Sequence, residues 1–211
     1  EWDSVDIVQS GDDRARFRTI HDLARDVRLH GYYGGIRLIN ATIKRFVDYC
    51  TARNLKLHER NFSVRYETNI PRQVGLAGSS SIIVATLRCL MKFYAIDIPI
   101  EQQPSLVLSV ETEELGISAG LQDRVIQVYQ GLVYMDFDKA LMKKKGHGRY
   151  EQMDPKLLPP LYIAYQEDLS EVSGKTHNNV RERFNLGDKK VIAAMRYWAN
   201  LTDQVKDVLA S

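Results

Sequence analysis

The chain has 211 residues, of which 44% are hydrophobic and 27% charged, enough apolar material to bury the core of one globular domain or two small ones. Its 29 basic and 27 acidic residues leave a net charge of +2 with both signs interspersed, which excludes a dedicated nucleic-acid surface. Two isolated cysteines, Cys50 and Cys89, exclude a disulfide framework and point to a reducing, cytoplasmic compartment. No apolar run reaches membrane-spanning length. The opening Glu1-Trp2-Asp3-Ser4 reads as mid-protein sequence, so the chain is expected to be part of a longer one.

Along the chain, residues 18–53 read as two helices. Ile20, Leu23, Ala24 and Val27 give the first apolar face, and Ile36, Leu38, Ile39, Ile43, Phe46 and Val47 the second. Between them Gly31-Tyr32-Tyr33-Gly34-Gly35 reads as a break, either a turn with packed tyrosines or a substrate-lining loop. Phe62, Val64, Tyr66, Thr68 and Ile70 alternate as in a strand, which runs into the small-residue loop Gly75-Leu76-Ala77-Gly78-Ser79-Ser80. A helix over 79–95 follows, because Ile83, Leu87, Leu90 and Tyr94 repeat with the helical period, and Ser79 is its expected N-cap.

A strand, a tight turn and a helix N-terminus make an anion site, since free amides and the positive end of the helix dipole meet at one spot. The same residues also suit a serine-capped core helix, and local physics does not separate the two readings.

After Ile98-Pro99, helices are predicted over 101–115 and 121–129, with a small-residue loop at 117–120 and a strand over 132–137. Lys143 to Arg149 reads as a basic loop, Leu161 to Tyr165 as a strand, and 167–179 as a polar loop. Helices close the chain at 178–186 and 189–210.

A second stretch carries chemistry. Glu111 lies at the end of one helix and Asp123 at the start of the next, with a glycine-bounded loop between. Phosphoryl transfer needs donors for the phosphates, hard oxygen ligands for a metal, and a carboxylate beside the attacking hydroxyl. Glu111 and Asp123 could supply the last two, although acidic residues there are equally favoured by solvation and the helix dipole. Ser173-Gly174-Lys175-Thr176 looks like the tail of a P-loop, but the pattern needs glycine where Leu169 stands, and the neighbouring loop is acidic. It is rejected. The five histidines show no metal-ligand spacing.

With both stretches in view, the chain resembles the GHMP family of small-molecule kinases. Those enzymes carry a Pro-x-x-x-Gly-Leu-x-Ser-Ser-Ala phosphate loop between a strand and a helix, and Pro71, Gly75, Leu76, Ser79 and Ser80 match it. Ala77-Gly78 is one residue more than the shortest versions, and Ser81 replaces the usual alanine. Asp123 follows Glu111 by twelve positions, as in the galactokinase Glu to Cys-Gly-Ile-Met-Asp spacing. Residues 31–38, 70–80, 119–125, 131–137 and Ser173-Gly174-Lys175 all look like the glucuronokinase branch.

The resemblance implies an α+β fold with a mixed sheet packed against helices. An ATP-binding domain would cover 1–165, lacking its first strands, and a helical C-terminal domain would begin over 166–211. It implies ATP-dependent phosphorylation of the anomeric hydroxyl of D-glucuronate to glucuronate 1-phosphate. The phosphates would sit on Gly75, Leu76, Ala77, Gly78, Ser79 and Ser80, Mg2+ on Ser80 and Glu111, and the sugar hydroxyl on Asp123. The partners implied are ATP and a sugar, with no nucleic acid and no membrane. A neutral-sugar kinase and a non-catalytic nucleotide- or sugar-binding relative stay open. The substrate carboxylate needs a cation, for which Arg37, Arg72, Arg124 and Arg183 are all candidates.

Overall fold

The computed structural model describes residues 3–10, 13–30, 36–70, 75–165 and 173–210. Two strands that the sequence reading left unassigned open it, β1 (Val5–Ser10) and β2 (Asp13–Phe17), paired antiparallel with an irregularity between Val8 and Ser10. Val5 and Ile7 are fully buried on the inward face of β1. On its other edge β1 pairs parallel with β3 (Ser63–Arg65), giving the order β2-β1-β3.

The strand expected over 62–70 is therefore shorter than its alternation. Pairing extends from Asp6 opposite Ser63 to Val8 opposite Arg65 and ends there. Alternation fixes which face is buried, while partner length decides how much of it becomes sheet.

Helices α1 (Ile20–His30) and α2 (Arg37–Ala52) pack beside this sheet. Ile20, Leu23, Ile39, Ile43, Phe46 and Val47 are buried as their spacing requires. The Tyr32-Tyr33 break lies outside the described residues. Helix α3 (Gly78–Tyr94) buries Ile83, Leu87, Leu90 and Tyr94, the whole predicted stripe, and packs on α2. His58 stacks on Tyr94 at 4.6 Å and its Nε2 lies 2.8 Å from the Phe93 carbonyl, a structural place that suits a histidine without metal spacing.

Helix α4 (Gln103–Ser109) is followed without a break by a single π-helical turn, Val110–Glu114. Helix α5 (Leu121–Tyr129) has the predicted bounds and packs on both α3 and α4. Strand β4 (Leu132–Asp136) then pairs antiparallel with β5 (Arg149–Met153).

The basic stretch is thus not a loop. Lys143, Lys144 and Lys145 form the last turn of α6 (Lys139–Lys145), where cations complement the helix dipole, and Arg149 opens β5. Gly148 is required at the bend, because a Cβ there would come within 2.4 Å of the Asp136 carbonyl oxygen.

Two expectations near the C-terminus fail. Residues 161–165 form no strand, and Leu161, Tyr162, Ile163 and Tyr165 are exposed. Strand-forming residues need a neighbouring strand, and none pairs with them among the described residues. The chain at 173–179 is helical instead of looped, as part of α7 (Ser173–Asn185). Helix α8 (Lys189–Ala210) docks on the β4–β5 hairpin through polar contacts. Tyr134 Oη donates to Asp203 Oδ1 at 2.6 Å, and Lys206 pairs with Glu151. Among the described residues no helix is long and apolar enough to cross a membrane. The molecule is α+β, with its core between the three-stranded sheet and α1–α4.

Candidate functional site

The loop before α3 turns sharply. Gly75 has φ +78° and Ala77 φ +54°, both left-handed, within the three residues before the helix begins. Ala77 is the N-cap residue, and no side chain caps the helix. Ser79, expected as the cap, sits inside the first turn, because the left-handed Ala77 starts the helix one residue earlier. The first intrahelical bond runs from Ser81 N–H to the Ala77 carbonyl at 3.1 Å. The amides of Gly78, Ser79 and Ser80 precede it, so the helix supplies them no acceptor. Pro71 and Arg72 of this loop lie outside the described residues.

Ser80 is fully buried, and its Oγ has no hydrogen-bond partner. A buried hydroxyl left unpaired costs about 1–3 kcal/mol, so a ligand that satisfies it is favoured by that amount. Ser81, by contrast, spends its hydroxyl on the Gly78 carbonyl at 2.8 Å.

The π turn sets the second half of the site. Such turns concentrate at functional positions, because one extra residue per turn re-aims the side chains that follow. Glu111 points inward and is 3% exposed, while Glu113 and Glu114 turn to α2. There Arg45 Nη2 meets Glu113 Oε2 at 3.0 Å and Lys44 Nζ meets Glu114 Oε1 at 2.6 Å. Burial pushes the Lys44 ammonium toward neutrality, but its bonds to Glu114 and Asp48 win and hold its pKa above the usual lysine value. The Ile117 amide donates to the Glu111 carbonyl at 2.8 Å and closes the turn into the loop.

Arg124 joins the two acids read from the sequence. Its Nε donates to Glu111 Oε2 at 3.0 Å, and Nη2 bonds the same oxygen. Its Nη1 donates to Asp123 Oδ2 at 3.2 Å and to the Gly120 carbonyl at 3.0 Å. The Arg124 side chain is 5% exposed and that of Asp123 53%. Asp123, in the first turn of α5, is therefore open to a ligand, while its tether is dry.

Glu111 and Asp123 thus meet around one guanidinium. Ser80 reaches neither by a hydrogen bond; it stands at the start of α3, the helix that α5 packs against. One hydroxyl and one carboxylate are the donor types that a hard cation takes. Ser80 Oγ is unpartnered, and both Arg124 bonds to Glu111 fall on Oε2, leaving Oε1 clear of that pair. Among the described residues no group of three or more His, Cys, Asp or Glu could hold a metal alone, and Mg2+ characteristically takes one or two protein oxygens plus phosphates and water.

Of the four arginines considered for a substrate carboxylate, Arg124 is committed to Glu111 and Asp123, and Arg183 to Asp188 at 2.9 Å. Arg37 is exposed at the start of α2, and Arg72 lies outside the described residues. Sequence reading gave no role to Lys44 and Arg45. Adjacent cations on a helix opposite an acidic Glu-Thr-Glu-Glu run are the signal that could have found them.

Comparison with known proteins gives a family likeness. Residues 37–131 match the GHMP kinases N terminal domain. The chain is 48% identical over 199 residues to Glucuronokinase 1 of Arabidopsis thaliana, covering 93% of this chain and 54% of that one. Probable glucuronokinase 2 of the same plant is 48% identical over 200 residues, with the same coverage. The chain therefore spans about half the length of these curated relatives. Among solved structures, the mevalonate kinase of Methanococcus jannaschii shares the fold, with a TM-score of 0.52 at 20% identity over 62% of this chain and 39% of that one. By these likenesses the chain carries a GHMP kinases N terminal domain over residues 37–131 and is similar along most of its length to two glucuronokinases.

Proposed function

We propose that the protein containing this chain is an ATP-dependent sugar-acid kinase that phosphorylates the anomeric hydroxyl of D-glucuronate, giving glucuronate 1-phosphate. The observation that carries the reading is Ser80. A fully buried hydroxyl without a partner, one turn inside an uncapped helix N-terminus, is a polar group waiting for an external ligand. The 48% identity to two glucuronokinases supports the choice of sugar. Residues 1–165 would form the ATP-binding domain and 166–211 the start of a second one, in a cytoplasmic enzyme.

In this mechanism the amides of Gly75 to Ser80 hold the ATP phosphates, helped by the positive end of α3. Mg2+, held by Ser80 and Glu111, would neutralise charge on those phosphates. Asp123 accepts the proton of the sugar hydroxyl as its oxygen bonds to the γ-phosphorus, and ADP leaves. The exposed carboxylate of Asp123 suits that role, because its substrate must arrive from solvent.

The test is ADP release from the whole protein with glucuronate, galacturonate, galactose and arabinose. Glucuronate as the fastest substrate is the expected result; a preference for a neutral sugar, or no turnover, overturns the assignment. Ser80→Ala and Glu111→Gln should each raise the Mg2+ concentration needed for half-maximal rate, and an unchanged titration for both removes them as metal ligands.

A further inference from the structure

We propose that Arg124 is a positioning residue of this site, holding Asp123 in register with Glu111. The inference rests on the kinase reading above, and it assigns a role to a side chain outside the phosphate, metal and base set. Adjacent residues on a helix point about 100° apart and do not face each other. The contact between Arg124 and Asp123 is therefore not imposed by α5. The Arg124 side chain has to turn back across the start of the helix to make it.

The rest of the guanidinium explains why it turns. Nε and Nη2 are fixed on buried Glu111, and Nη1 is shared between the Gly120 carbonyl and Asp123. Gly120 is the N-cap residue of α5, so the same fork grips the π turn, the loop end and the base. Asp123 is bound through Oδ2 at 3.2 Å, and Oδ1 remains for an acceptor hydroxyl.

A buried ion pair alone is weak evidence for a stabilising role, since well-packed apolar residues often hold two elements as well. An apolar pair could not orient Asp123, and neither could lysine, whose point charge lacks the planar fork that reaches three acceptors. The arrangement suits orientation better than stability. A displaced base is costly, because a misplacement of about 1 Å can slow turnover about 10²-fold.

The experiment compares Arg124→Lys, Asp123→Asn and the double variant in the active protein, with thermal melts alongside. Arg124→Lys is expected to lower kcat by about 10²-fold with little change in KM for ATP, as for an interaction used only in the transition state. The double variant is expected to be no slower than Asp123→Asn, because Arg124 acts through Asp123. A normal kcat with a lowered melting temperature, or losses that multiply in the double variant, overturns the proposal. Arg124→Gln, which can still donate to Glu111 but is too short for Asp123, takes the place of Arg124→Lys should that variant not fold. The carboxyl 13C resonance of Asp123 supplies a readout independent of turnover. If no sugar is phosphorylated, the kinase reading falls, while a resonance that moves on replacing Arg124 still supports the tether and one that stays put overturns it.

Discussion

Helices α3 and α8 are both amphipathic by spacing, yet they use their apolar stripes in opposite ways. Helix α3 buries Ile83, Leu87, Leu90 and Tyr94 against neighbours within this chain. Helix α8 leaves Tyr197, Trp198, Leu201, Val205 and Val208 exposed and buries only Val191. Its ties to the hairpin are polar, through Asp203 and Lys206. A 3.6-residue stripe specifies that a helix forms, but not what it meets. In the proposed mechanism the functional helix is the one whose stripe is satisfied, because a packed α3 can hold its open N-terminus in place.

The largest effect that would break this view concerns the candidate site. Asp123→Asn keeps the shape of the side chain and an acceptor for Arg124, but removes the base. Turnover should fall by about 10²–10⁴ while ATP still binds, read by steady-state kinetics and nucleotide titration. Near-normal turnover removes Asp123 from its role. The next effect concerns packing. Leu87→Ala in α3, at 2% exposure, should cost about 2–5 kcal/mol, measured by denaturant unfolding.

What the sequence made legible follows the same divide. The α3 stripe, the bounds of α5, and the pairing of Glu111 with Asp123 could be read because each depends on local spacing or a motif. Strands β1 and β2 could not, because their alternation is too short to stand out: Val5-Asp6-Ile7 ends at Val8, and β2 offers only Ala15 and Phe17 as apolar residues. Leu161 to Tyr165 misled in the other direction, having strand-forming residues without a partner strand. Ser79 reads as a cap until the left-handed Ala77 takes that position. Arg124 was visible only as one of four candidate cations, since its role comes from a fold that brings the π turn onto α5.

A subtler probe of the buried region is alkaline pH. Burial pushes the Cys50 thiol up to about 11, with Arg53 opposing weakly, and burial pushes the Tyr94 phenol up to about 12. Both groups are protonated in the fold and ionise earlier in the unfolded chain. Their contribution is therefore complete below the unfolded pKa values and is lost as pH climbs through the folded ones. The melting temperature should decline from the usual thiol range up to about 11–12. Tyr94→Phe, which removes one of the two ionisations, should flatten that decline; an unchanged slope would mean that the pair does not govern it.

The smallest effect is the sharpest control on the comparison. Leu201→Ala in α8 is the same chemical change as Leu87→Ala, made at a position 41% exposed. The leucine already meets water on much of its surface, so truncation removes little burial and leaves no enclosed cavity. Its cost should stay below about 1 kcal/mol, with the Tyr134 to Asp203 and Lys206 to Glu151 contacts still holding the helix to the hairpin. A loss matching that of Leu87→Ala would mean that α8 is held by its apolar stripe after all, and the contrast between the two helices would collapse.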